Sequence, residues 1–182
     1  GGTIQDCAFS PDAGLFFTGG SDQLVRVWDT ATGKEVRALD GAKQWIYGIC
    51  PGPDGSWLVA SELSGELIVW DTAEWKIARR IPAPYSQGCH VRQKDGLIAS
   101  AGQDGRVRLY TVDGESRKSL EHKSALHHAR FSPRGTWLAT TAADNKIRLW
   151  DPDRREVVKE FTSDVKPYAV AVSADETTAA VG

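Results

Sequence analysis

The chain has 182 residues, 41% hydrophobic and 25% charged, with 18 Gly and 8 Pro, the make-up of an ordinary soluble globular protein; disordered, collagen-like and membrane-spanning classes are excluded. A formal net charge of -2 supplies no global field to draw in nucleic acid or anionic lipid. Three scattered cysteines, Cys7, Cys50 and Cys89, with no CxxC spacing, argue against a disulfide framework and for a reducing compartment.

In chain order, the first elements are short β runs: Ile4 to Phe9, Leu15 to Thr18, Leu24 to Trp28 and Glu35 to Leu39. They are rich in β-branched and aromatic residues and are separated by turn chemistry at Pro11-Asp12, Ser21-Asp22 and Thr32-Gly33. The run ending in Val27-Trp28-Asp29 returns as Val69-Trp70-Asp71, Leu109-Tyr110-Thr111 and Leu149-Trp150-Asp151. Successive aromatic positions are 42, 40 and 40 residues apart. A second pattern opens each copy: Phe9-Ser10-Pro11-Asp12, Pro51-Gly52-Pro53-Asp54, a blurred Val91-Arg92-Gln93-Lys94, and Phe131-Ser132-Pro133-Arg134. From its first residue to the aromatic of the same copy the distance is 19 in all four. A fifth copy opens at Val172-Ser173-Ala174-Asp175. No stretch sustains a helical apolar period. Four short strands per unit form a sheet that cannot bury either face alone, and stacking such sheets around an axis is the β-propeller solution.

These residues resemble the WD-repeat β-propeller family along essentially the whole chain. The resemblance implies a hydrogen-bonded group in each blade: a His before the first strand, a Ser or Thr in the second, an Asp in the next turn and the Trp of the third. The fourth copy has the set in His122, Thr140, Asp144 and Trp150; the first has Thr18, Asp22 and Trp28, with its His falling before Gly1. The third keeps Ser100 and Asp104 but carries Tyr110 and Pro82 at the Trp and His positions. The second has Ala42, Ala60 and Ser64 with Trp70, so its blade is expected to be held by apolar packing instead, and to be locally less rigid.

The expected fold is all-β, a partial propeller of about 4.5 blades over residues 1–41, 42–83, 84–121, 122–163 and an incomplete 164–182. Met is absent, so the sequence reads as a processed product or a piece of something longer. A broken ring leaves open sheet faces whose burial is comparable with the stability of a whole domain. The remainder of a longer chain, or a second copy, is expected to cover them.

Catalytic chemistry finds no motif. GxSxG and SxxK are absent, and adjacent Cys89 and His90 point to opposite sides of a strand. Cys7 and Cys89 share one repeat position, read as a small buried residue of the inner strand. His127 and His128 are strand neighbours, read as a surface imidazole beside a buried one, and no spacing converges three ligands, so neither metal nor cofactor is expected. Gly19-Gly20 and Gly102 lack the Lys and the following helix of a phosphate loop. Arg79-Arg80 and Arg154-Arg155 read as solvated outer-strand residues.

Function is therefore expected at a rim, where loops from several blades meet. In the family's geometry the loop before the first strand shares a rim with the turn between the second and third. Trp45, Tyr47, Leu63, Tyr85 and Gln87 fall there in the second and third blades, with His127 and Tyr168 further on. Aromatic residues with a polar tip are the usual anchors of protein interfaces. The reading is a non-catalytic cytoplasmic scaffold (nuclear as well, in a eukaryote) that binds protein or peptide segments, not nucleic acid or membrane. Two alternatives are a regulatory or sensor propeller of a larger kinase or protease, and a sugar or small-molecule site at the channel mouth.

Overall fold

A computed structural model describes residues 2–182. The first copy forms β1 (Ile4–Phe9), β2 (Leu15–Gly20), β3 (Val25–Asp29) and β4 (Glu35–Leu39), an antiparallel meander. The second forms β5 (Ile46–Pro51), β6 (Trp57–Glu62), β7 (Glu66–Asp71) and β8 (Lys76–Pro82). The third forms β9 (Ser86–Val91), β10 (Ile98–Gly102), β11 (Arg106–Tyr110) and β12 (Ser116–Glu121). The fourth forms β13 (Leu126–Phe131), β14 (Leu138–Ala142), β15 (Lys146–Asp151) and β16 (Glu156–Thr162). A two-stranded ribbon, β17 (Val170–Val172) with β18 (Ala179–Val181), follows. The chain is all-β, with no helix among the described residues.

Two compact units divide the chain, Gly1–Cys89 and His90–Gly182. In the first, Phe17, Val25 and Val27 of one sheet meet Ile46, Ile49 and Leu58 of the next in a closed apolar layer. In the second, Ala101, Val107 and Leu109 do the same with Leu126, Phe131 and Leu138. Each layer is the inward face of a strand alternation of period two. A close approach of inner strands needs Gly48: a Cβ there would stand 2.5 Å from the Cys89 backbone nitrogen.

One cysteine expectation is corrected. Cys89 is buried, whereas Cys7 is exposed. In β1 the side chains alternate: Ala8 packs against the shared core and the Asp6 carboxylate accepts the Ile49 N–H at 2.8 Å. Cys7 and Phe9 therefore face the other side, and both are exposed. The same repeat position is buried only where a second sheet lies on that face.

A register feature recurs at the entry of the inner strands. Ile4 pairs with Gly20 and Asp6 with Gly19, so Gln5 is an extra residue; Tyr47 in β5 and His127 in β13 are extra in the same way. A bulge leaves its extra residue out of the ladder and re-aims its side chain.

Candidate functional site

In the first unit three of the expected rim residues, Trp45, Leu63 and Tyr85, lie on loops tied to one another by the backbone, while Tyr47 and Gln87 lie in β5 and β9. The Leu63 N–H donates to the Trp45 carbonyl at 3.0 Å, and the Ala83 N–H donates to the Gly65 carbonyl at 2.8 Å. This places the Leu63–Gly65 turn between Trp45 and Tyr85. Trp45, Leu63 and Tyr85 are 44%, 46% and 62% exposed. Such exposure is unusual for large apolar side chains gathered on neighbouring loops. Tyr85 sits at φ +65°, a left-handed backbone that a bulky residue adopts only where its surroundings hold it. Tyr47, carried by the bulge, is half-buried with its ring centroid 6.5 Å from that of Trp45. Gln87 is half-buried two residues past Tyr85, its amide donating to the Ser86 carbonyl at 3.4 Å.

In the second unit His127 and Tyr168 come together, their rings 4.8 Å apart. Tyr168 is 61% exposed. Burial, with the nearby Lys166 charge, lowers the His127 pKa, so the imidazole offers an uncharged face to the phenol. His128 points elsewhere: burial and Arg130 bring its pKa down to about 4. His90 lies near His128 and Arg130. Its Nδ1 accepts the Phe131 N–H at 3.3 Å, and burial, Arg130 and His128 bring its pKa to about 3. Among the described residues no three of His, Cys, Asp and Glu converge as metal ligands. The Cys89 thiol is pushed far above its ordinary pKa, first by burial and then by Cys50 and Asp6, which suppresses the nucleophilic thiolate.

The polar groups that stitch the sheets differ from copy to copy. Trp150 Nε1 donates to Thr140 Oγ1 at 2.9 Å, and Trp28 Nε1 to Thr18 Oγ1 at the same distance. Beyond the hydroxyl the fourth sheet departs from the family scheme. His122 Nδ1 and Asp144 stand 3.9 Å apart, and the Arg148 guanidinium lies between them, donating to the imidazole and to Asp144 at 3.3 Å. Burial and then the Arg148 charge lower the His122 pKa to about 4. Sequence reasoning passed over this arginine, although it recurs. Arg26 pairs with Asp22 at 2.5 Å and Arg108 with Asp104 at 2.6 Å. The signal was legible as a fixed offset, Asp followed four residues later by Arg. Tyr110 is buried, and burial raises its pKa.

The second sheet lacks that pair, having Ser64 and Ile68 at the two positions. Apolar packing around Trp70, 1% exposed, does hold it. It is not the sole device, and the expectation of packing in place of polar bonds is corrected. Glu62, fully buried, accepts the backbone N–H groups of Lys43 and Gln44 at 2.6 and 3.2 Å and the Ser64 hydroxyl at 2.5 Å. One carboxylate thus serves both the loop where His is missing and the turn where Asp is missing. Arg80 is likewise no free edge residue: it reaches Glu66 at 3.0 Å and the Gly41 carbonyl at 2.5 Å. Trp75, at φ +55°, packs against the core with Arg37 over its ring at 5.6 Å.

A family model described as WD domain, G-beta repeat, matches residues 1–29, 33–71 and 114–151, more than half of the chain. The chain belongs to the WD-repeat family. Its repeats are similar to those of the Nuclear distribution protein nudF of Aspergillus niger, 28% identical over 75% of this chain and 36% of that protein. They are similar also to the Target of rapamycin complex subunit LST8 of Mus musculus, at 23% identity over 87% of this chain and 53% of that protein. The Small ribosomal subunit protein RACK1z of Oryza sativa subsp. japonica is 32% identical over 64% of this chain and 37% of its own length. The WD-repeat chain thus spans about a third to a half of the lengths of these curated relatives. Two of them are named as parts of larger assemblies. Among the described residues no helix is long and apolar enough to cross a membrane.

Proposed function

We propose that this WD-repeat chain is a non-catalytic interaction scaffold, cytoplasmic or nuclear, that binds protein or peptide segments on its aromatic rim. In the first unit the binding surface is Trp45, Tyr47, Leu63 and Tyr85, with Gln87 supplying an amide. His127 and Tyr168 are a second aromatic pair on the corresponding positions of the other unit. The observation that carries this reading is the exposure of Trp45, Leu63 and Tyr85 on loops locked together by the backbone bonds at Trp45 and Gly65. Rigid aromatic and aliphatic side chains lose little entropy on binding and contribute large apolar area, which is how interface anchors act. Membership in assemblies by two of the named relatives agrees with this.

The test is the double variant Trp45→Ala with Tyr85→Ala. Both side chains are exposed, so the β circular-dichroism spectrum should be unchanged. Affinity for proteins that the wild-type chain retains should drop by about tenfold or more, the loss typical of an interface anchor. Wild-type affinity of the folded double variant for every such protein would refute the reading.

A further inference from the structure

In the second unit a cleft of about 580 Å³ opens at the exit of β9 and among the β11–β12 and β15–β16 turns, the opposite end of the strands from the rim residues. We propose that this cleft is a second binding site and that it takes an acidic peptide segment. The proposal is independent of the aromatic rim.

Charge accounting supports it. Two of the three lining acids, Asp95 and Asp153, are already engaged. Arg92, 4% exposed, binds Asp95 with two nitrogens, at 2.8 and 2.6 Å, and Asp153 Oδ1 at 2.8 Å; Lys94 takes the other Asp153 oxygen at 3.3 Å. Three lining cations remain. Arg117, Lys118 and Arg155 have no carboxylate at ion-pair distance among the described residues. A cleft with two of its three acids paired and three of its cations unpaired is electrostatically complementary to carboxylates or phosphorylated side chains.

Local geometry brings those cations to one place. Leu109 pairs with Arg117 but Val107 with Leu120, so β12 carries an extra residue just after Arg117. The bulge breaks the strict alternation that would send Arg117 and Lys118 to opposite faces, and both line the cleft. Arg155 occupies a turn position at φ +64°, where the first and third sheets have Gly33 and Gly114 at +68° and +87°. An arginine there keeps a strained backbone that glycine would relieve, as Trp75 does at the same position of the second sheet.

The floor selects the class of ligand. Leu97, Leu109, Val112 and Pro152 line it, so apolar side chains have a place between the acidic ones. No aromatic ring is among the lining residues for bases to stack on. A peptide alternating acidic and aliphatic residues fits both demands.

The experiment is fluorescence anisotropy with the full chain and a short labelled peptide alternating Glu and Leu. Saturable, salt-sensitive binding is expected. Arg117→Ser with Lys118→Ser should weaken it by about tenfold or more, and Arg155→Gly by roughly threefold, while Arg155→Gly unfolds at or above the wild-type temperature. Lys34→Ser with Lys159→Ser, which removes two exposed cations elsewhere, should stay within about twofold of wild type. No saturable binding, equal affinity in the cleft variants, or an equal loss in the Lys34 and Lys159 control would overturn the proposal. So would tighter binding of a thymidine oligonucleotide, which would assign the cleft to nucleic acid.

Discussion

The second and fourth sheets have the same four strands, the same meander and matching tryptophans at Trp70 and Trp150, yet they tie their loops down with different chemistry. The fourth uses Thr140 for the indole and the Arg148 guanidinium between Asp144 and His122. The second has alanine opposite its tryptophan and anchors its loops through the buried Glu62 carboxylate. Different residue types therefore tie down the corresponding loop and turn in the two sheets.

Four measurements break or sharpen that contrast. The largest effect is expected at Trp70→Ala, where removing a ring that is 1% exposed leaves a cavity costing about 3–5 kcal/mol in urea unfolding. Glu62→Ala should follow at about 2–3 kcal/mol, because the Lys43 and Gln44 N–H groups and the Ser64 hydroxyl lose their acceptor together. If Glu62→Ala cost nothing, the second sheet would rest on apolar packing alone.

Acid should separate the two units. All four histidines lie in residues 90–182, and burial lowers the pKa values of His122 and His128 to about 4 and of His90 to about 3. A folded pKa below the unfolded value means that the unfolded chain takes up protons first as the pH falls. Stability is then full above the unfolded value near 6.5 and lost as the pH drops toward 4, by about 2 kcal/mol for His122 at pH 5. Hydrogen exchange, corrected for its intrinsic pH dependence, should speed up between pH 7 and 5 in residues 90–182 and much less in residues 2–89. Equal acceleration in both would contradict the assignment. The smallest effect belongs to Thr140→Val, about 1 kcal/mol for the lost Trp150 hydrogen bond. The isosteric change leaves the packing around the ring in place.

Much of this molecule was readable in advance because it repeats. The runs Ile4 to Phe9 and Glu35 to Leu39 are strands with those bounds, and the aromatic spacing locates the third strand of each sheet. The positions of Trp45, Leu63 and Tyr85 were legible as offsets from the same landmarks. That Tyr47 and His127 are bulge residues was not, since an extra residue appears only when two strands are laid side by side. The recurring Asp–Arg offset was visible in the text of the chain, but an ion pair on a turn looks the same whether it points to solvent or inserts beside His122.

Local pattern by itself determined the period, the β class and the family, because alternation and turn chemistry act over a few neighbouring residues. Two strand bounds moved: the run read as Leu15 to Thr18 extends to Gly20, and that read as Leu24 to Trp28 is Val25–Asp29. Tertiary structure alone decided which like positions differ. Cys7 is exposed and Cys89 buried, Glu62 is a buried anchor and not a surface acid, and Arg117, Lys118 and Arg155 share a cleft with two of its three acids paired. Burial and charge pairing depend on what lies across a sheet face or a turn, contributed by residues tens of positions away, and no local window contains them.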